Sequence, residues 1–121
     1  MKVYDNFLVY KGAHYSIYFH AENAESSEVY EYYKKCDMPT RANLLYLAQR
    51  LADHSRIYDI TKFRLENQKH KIYAFKAKHH RFFCFFMENK LIIITSAYRK
   101  HGQKVDRKEL WKAIKIQELY S

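Results

Sequence analysis

The 121 residues suffice for one domain with a real core and are too few for two. Hydrophobic residues make up 48% of them, with two Gly and one Pro, which excludes a disordered or collagen-like chain. The net charge of +9 is unevenly placed: residues 62–108 carry 13 Lys or Arg against three acids, and the other 74 residues carry nine against ten. A cationic excess confined to one segment and interleaved with His and Tyr points to a polyanion partner, nucleic acid above all. Cys36 and Cys84 are too few for a disulfide framework and read as reduced thiols. There is no basic-then-apolar signal pattern and no apolar run of membrane-spanning length, so a soluble, cytoplasmic chain without a membrane partner is expected.

Near the N-terminus, Tyr4–Tyr10 and Tyr15–Phe19 are β-prone runs around Lys11-Gly12, a hairpin in which Gly12 can adopt a positive φ. Tyr15, Ile17 and Phe19 alternate with Ser16, Tyr18 and His20, as one buried face requires. His14 and His20 have no Cys or carboxylate at metal-site spacing and read as ordinary strand or rim histidines. The segment 1–14 itself carries no functional signal.

From Glu22 to Lys35 the pattern becomes helical, with Asn23, Ser26 or Ser27 as the cap and Val29, Tyr32 and Tyr33 as its stripe. After Cys36-Asp37-Met38-Pro39, a second helix over about Thr40–His54 places Leu44, Leu47, Ala48 and Leu51 on one face. The pair forms an antiparallel helical hairpin. Phe63–Leu65 is a short strand, Glu66–His70 a polar turn, and Ile72–Lys78 alternates again.

Two apolar runs, Phe82–Met87 and Leu91–Ile94, joined by Glu88-Asn89-Lys90, predict a central β-hairpin. Lys76, Lys78, His79, His80 and Arg81 precede it, and Tyr98, Arg99, Lys100, His101 and Lys104 follow it. In an antiparallel pair these two clusters meet at one end. A last helix from about Arg107 to Leu119 begins at Asp106, three residues before Glu109, in a capping-box arrangement. The class is therefore α+β, a single domain over 1–121 with a mostly antiparallel sheet and helices packed on one face.

These features together resemble the RelE/HigB toxins of type II toxin–antitoxin pairs, in particular their phage-derived HigB-like branch. Tyr33…Pro39-Thr40-Arg41-Ala42…Leu44 is similar to that family's helical hairpin, and Arg81-Phe82-Phe83-Cys84-Phe85-Phe86 to its central strand. Leu91–Ile94 followed by Ala97-Tyr98-Arg99-Lys100-His101-Gly102-Gln103-Lys104…Asp106-Arg107-Lys108-Glu109 is similar to its C-terminal motif. The chain departs from the pattern where Ala74 and Lys76 replace a Glu and an Arg.

The resemblance implies a RelE-like sheet with an N-terminal helical hairpin and a C-terminal helix packed on it. It also implies an endoribonuclease, an mRNA interferase that enters the ribosomal A site and inhibits translation. Its partners would be mRNA on the ribosome and a cognate antitoxin, commonly a helix-turn-helix protein, in a toxin–antitoxin hetero-oligomer. Some relatives of this fold instead inhibit DNA gyrase, and a plain RNA- or DNA-binding module is the other non-enzymatic alternative.

Cleavage of this kind uses no cofactor or metal: the 2′-hydroxyl attacks phosphorus and leaves a 2′,3′-cyclic phosphate. It needs a base, an acid and cations for the phosphorane. Arg81, opening the strand that matches the family's arginine, is the expected clamp, with Arg99 and Lys100 beside it. His101 and His80 are the preferred proton-transfer pair, since imidazole titrates near neutrality. Tyr98 stacks on a base or shares the acid role, and Lys78 would need a lowered pKa to do so. Lys76, Lys78, His79, Lys104 and Arg107 would hold the RNA backbone.

Overall fold

A computed structural model describes residues 1–121. A 3-10 turn at Asp5–Phe7 leads into β1 (Leu8–Lys11) and β2 (Ser16–Phe19), followed by α1 (Glu28–Lys35) and α2 (Met38–His54). Four strands then run in succession, β3 (Phe63–Asn67), β4 (Ile72–Ala77), β5 (His80–Met87) and β6 (Leu91–Arg99), and α3 (Arg107–Glu118) closes the chain. The expected α+β class and element order hold. No helix is long and apolar enough to cross a membrane.

The six strands form one sheet in the order β1-β2-β6-β5-β4-β3. The α1–α2 hairpin carries the chain from β2 across the sheet to the far edge. β3 to β6 then zigzag back in antiparallel steps until β6 lies beside β2, the one parallel pair. β5 and β6 extend beyond their apolar runs, so His80, Arg81, Tyr98 and Arg99 are ladder residues rather than flanks.

Both faces of this sheet are covered, in contrast to the single covered face expected from sequence. Ile17, Phe19, Phe75, Phe82, Cys84, Ile92 and Ile94 pack with Val29 of α1 and Leu44, Leu47, Ala48 and Leu51 of α2. On the opposite face Ile72, Ala74, Phe83, Phe85, Ile93 and Tyr98 pack with Ala113 and Ile114 of α3. The central strands are apolar on both sides, which is why β5 reads as a continuous hydrophobic run and not as an alternation.

A bulge sits where β6 passes β5: Phe83 pairs with Ser96 and Cys84 with Ile94, leaving Thr95 as the extra residue. Its hydroxyl donates to the Phe83 carbonyl at 3.3 Å. Because of that one residue, Ile94 and Ala97 share a face although three positions apart, and Tyr98 turns toward α3.

α1 starts later than its periodicity implies. Asn23 accepts a hydrogen bond from the Glu25 amide at 2.8 Å, and the Glu22 amide donates to the Ser26 carbonyl, so local turns displace helix over 22–26. Of the three candidate caps, Ser27 accepts from the Tyr30 amide at 3.1 Å. His20 is buried and fully engaged, with Nδ1 2.6 Å from the Tyr120 hydroxyl and Nε2 3.3 Å from the Glu22 carboxylate. It ties the end of β2 to the C-terminus.

Gly12 lies in the β1–β2 connection, but its φ is not positive. Glycine is required there by proximity: a Cβ would lie 2.6 Å from the Ala52 carbonyl carbon. Gly12→Ala should therefore push the first hairpin off the end of α2. It should lower the urea midpoint by an amount equivalent to about 1–3 kcal/mol, with an unchanged m-value.

Candidate functional site

The register of the meander decides which cations meet. Lys76 lies opposite Arg81, and Arg81 opposite Tyr98, so the three side chains form a row across β4, β5 and β6. Tyr98 belongs to the core under α3, so the row lies on the α3 face. Arg64, opposite Ala74, extends it to the edge strand. Glu66, the extra residue of a bulge between Leu65 and Asn67, is ion-paired to Arg64 Nε at 3.1 Å. An open basin of about 360 Å³ adjoins the row and is lined by Arg64, Glu66, Lys100, Gln103, Lys104, Val105 and Arg107. The expected meeting of the two clusters therefore occurs.

Two side chains in the row are held in place. The Tyr98 ring stacks on Phe83 with centroids 5.6 Å apart, and its hydroxyl accepts from the Asp106 amide at 3.3 Å. That amide, at the cap of α3, is the group a capping box would have given to Glu109. The Asp106 carboxylate still caps the helix, accepting from the Lys108 and Glu109 amides. Burial raises the Tyr98 pKa, so this phenol stays protonated. Burial, then the Arg64 and Arg81 charges, lower that of Lys76. Arg81 folds back over the β4–β5 turn, where Nη1 donates to the Lys78 and His80 carbonyls at 3.1 and 3.0 Å. Its Nε is buried without a partner, an arrangement that costs free energy and favours an incoming acceptor.

His80 and Arg99 do not belong to this row. Strand alternation sends them to the other face, opposite one another in the ladder. His80 Nδ1 lies 2.6 Å from the Tyr32 hydroxyl of α1, with the two rings edge to face. Burial, then the Arg99 charge, lowers the His80 pKa, and burial raises Tyr32 to about 12. The expected association of His80 with Arg81 in one site is thus corrected: adjacent strand residues point apart, and α1 already engages this imidazole.

The remaining candidates are exposed. Lys78 and His79 form the two-residue turn between β4 and β5, with Lys78 in the left-handed region at φ 57°. The His79 carbonyl accepts from the Lys100 amide at 2.8 Å, which fixes the start of the 100–105 segment. His101 lies exposed in that segment, with its side chain free of hydrogen bonds.

Residue-level reading missed Arg64 and Glu66. The signal was there: Phe63 and Leu65 alternate with Arg64 and Glu66, so the strand's period carried one residue further than the short strand assigned to it. Tyr32, as the partner of His80, had no local signal.

The profile of one protein family, described as phage-derived protein Gp49-like (DUF891), matches residues 31–118. The chain belongs to the Gp49-like family. The match runs from α1 to the end of α3, so it includes the whole meander and every residue of the basic row. Gp49-like proteins are toxin-like, of the kind that pairs with an antitoxin. No curated protein matches this chain.

The lowered pKa values of His20 and His80 make a stability prediction. Each group binds its proton more weakly in the folded chain, so the unfolded chain takes up more protons as pH falls. The stabilisation is complete above the unfolded imidazole value of about 6.5 and declines below it. Melting temperature should fall between pH 7.5 and 5.5, and the His20→Gln, His80→Gln double variant should show a shallower slope in the same scan.

Proposed function

We propose that this chain is the toxin of a type II toxin–antitoxin pair, akin to the RelE/HigB toxins, and that it cleaves mRNA in the ribosomal A site. The observation that carries this reading is the row Lys76-Arg81-Tyr98, backed by the basin that holds Glu66 among Arg64, Lys100, Lys104 and Arg107. Cations alone would favour a binding surface. A carboxylate fixed among them, together with a lysine of lowered pKa, supplies the two proton-transfer groups that phosphodiester cleavage needs.

In this mechanism Glu66 accepts the proton of the 2′-hydroxyl as that oxygen attacks the adjacent phosphorus. The bond from phosphorus to the 5′-oxygen breaks, and Lys76 protonates the leaving oxygen. The products are a 2′,3′-cyclic phosphate and a 5′-hydroxyl. Arg81 leaves the turn carbonyls to hold the equatorial oxygens of the phosphorane, and its charge counts for more there than in water. Tyr98, a protonated donor stacked on Phe83, orients a phosphate or base. Lys100, Lys104 and Arg107 hold the flanking backbone, each contact adding salt dependence. His101, exposed in the 100–105 segment, serves as a second proton carrier. Neutralisation falls to an antitoxin, expected to be a helix-turn-helix protein.

Inducible expression with primer extension on translated mRNA tests this. Wild type should arrest growth and produce cuts within codons. Arg81→Ala should reduce cleavage by roughly 10²–10³-fold and Glu66→Gln by about 10²–10⁴-fold, with both proteins folded. His80→Gln should remain within a few-fold of wild type. Intact messages accompanied by double-strand DNA breaks would instead establish the gyrase-directed alternative. Undiminished cleavage by Arg81→Ala would remove the site assignment.

A further inference from the structure

We propose that Trp111, on the outer face of α3, is a stacking platform for a nucleotide base, and that bound RNA leaves the basic basin along this helix. The inference rests on the cleavage reading above and adds to it where the substrate strand runs beyond the reacting phosphate.

Trp111 is the only tryptophan in the chain, and 56% of its surface is exposed. Tryptophan offers the largest apolar surface of any side chain, so leaving it in water forgoes substantial burial energy. Here it contributes nothing to the core: α3 packs through Ala113 and Ile114, two and three residues further on, at 0% and 6% exposure.

Its neighbours indicate the kind of partner. On a helix, the residues three and four positions away share the local surface. Around Trp111 these are Arg107, Lys108, Ile114 and Lys115, of which Ile114 is buried and the other three are exposed cations. Lys115 Nζ sits 4.8 Å from the ring centroid. Glu118, paired with Lys115 at 3.8 Å, is the one acid on this strip and lies at its far end. An exposed indole bordered by cations matches how single strands are bound: aromatic rings take the bases, and Lys or Arg follows the phosphates.

The strip is continuous with the basin. Arg107 lines it, and Trp111 follows one helical turn later. Helical side chains lean toward the N-terminus of their helix, which here means toward Arg107 and the basin mouth. A strand with its reacting phosphate near Arg81 therefore meets Arg107 and then the indole. Stacking tolerates any base, so this contact adds affinity without dictating sequence.

The test uses a dye-labelled, cleavage-resistant 2′-O-methyl oligoribonucleotide, titrated with the full chain. Dye anisotropy reports binding, and the single indole reports stacking through its fluorescence. Saturable quenching should follow the anisotropy curve, with both weakened by added salt. Trp111→Ala should bind roughly 5- to 100-fold more weakly, while Trp111→Phe should retain most of the affinity. Binding without quenching, and with equal affinity for Trp111→Ala, would overturn this proposal and leave the cleavage reading intact. No binding by wild type would overturn both. Quenching by a poly-glutamate peptide and not by RNA would assign the indole to a protein contact and overturn the stacking role.

Discussion

The register between β5 and β6 governs which side chains meet on each face of this molecule. A one-residue slip in a ladder exchanges the faces of every following side chain. The bulge at Thr95 makes such a slip permanent, and the Thr95 hydroxyl anchors it on the Phe83 carbonyl. Without the bulge, Tyr98 would point at α1 and Arg99 would face α3. With it, Tyr98 stands beside Arg81 and Lys76, and Arg99 beside His80. Thr95 therefore decides which titratable residues of β6 join each side of an apolar sheet.

The two sets are treated differently by their surroundings. On the α1 face a hydroxyl meets His80, and a helix covers the approach to it. On the α3 face the cations outnumber the acids, and the guanidinium of Arg81 finds only carbonyls of its own turn. Glu66 is the exception, a carboxylate among these cations: its side chain is only 10% exposed and is oriented by Arg64. α3 completes the site from outside, because the amide at its cap holds the Tyr98 hydroxyl and its first residue lines the basin.

Much of this was legible in the residues. The helical hairpin followed from Leu44, Leu47, Ala48 and Leu51, the central β-hairpin from two aromatic and β-branched runs, and α3 from its Asp106 cap. The meeting of the clusters followed from antiparallel geometry. The face of each β6 residue beyond Thr95 did not, because it depends on a bulge there that has no glycine or other local marker. Apolar β5 gave no alternation from which to tell inside from outside, so the second covered face was hidden as well. Gly12 illustrates a further limit. Conformational freedom was its evident use, whereas the actual requirement comes from Ala52, 40 positions away in the chain.

The central claim is that the anion site lies on the α3 face alone. Backbone and side-chain NMR shifts during titration with a 2′-O-methyl dinucleotide test it most directly. Resonances of Glu66, Lys76, Arg81, Tyr98, Lys100 and Lys104 should move together along one binding curve while those of Tyr32 and His80 stay still. Movement of Tyr32 and His80, with Arg81 and its row unmoved, would contradict it.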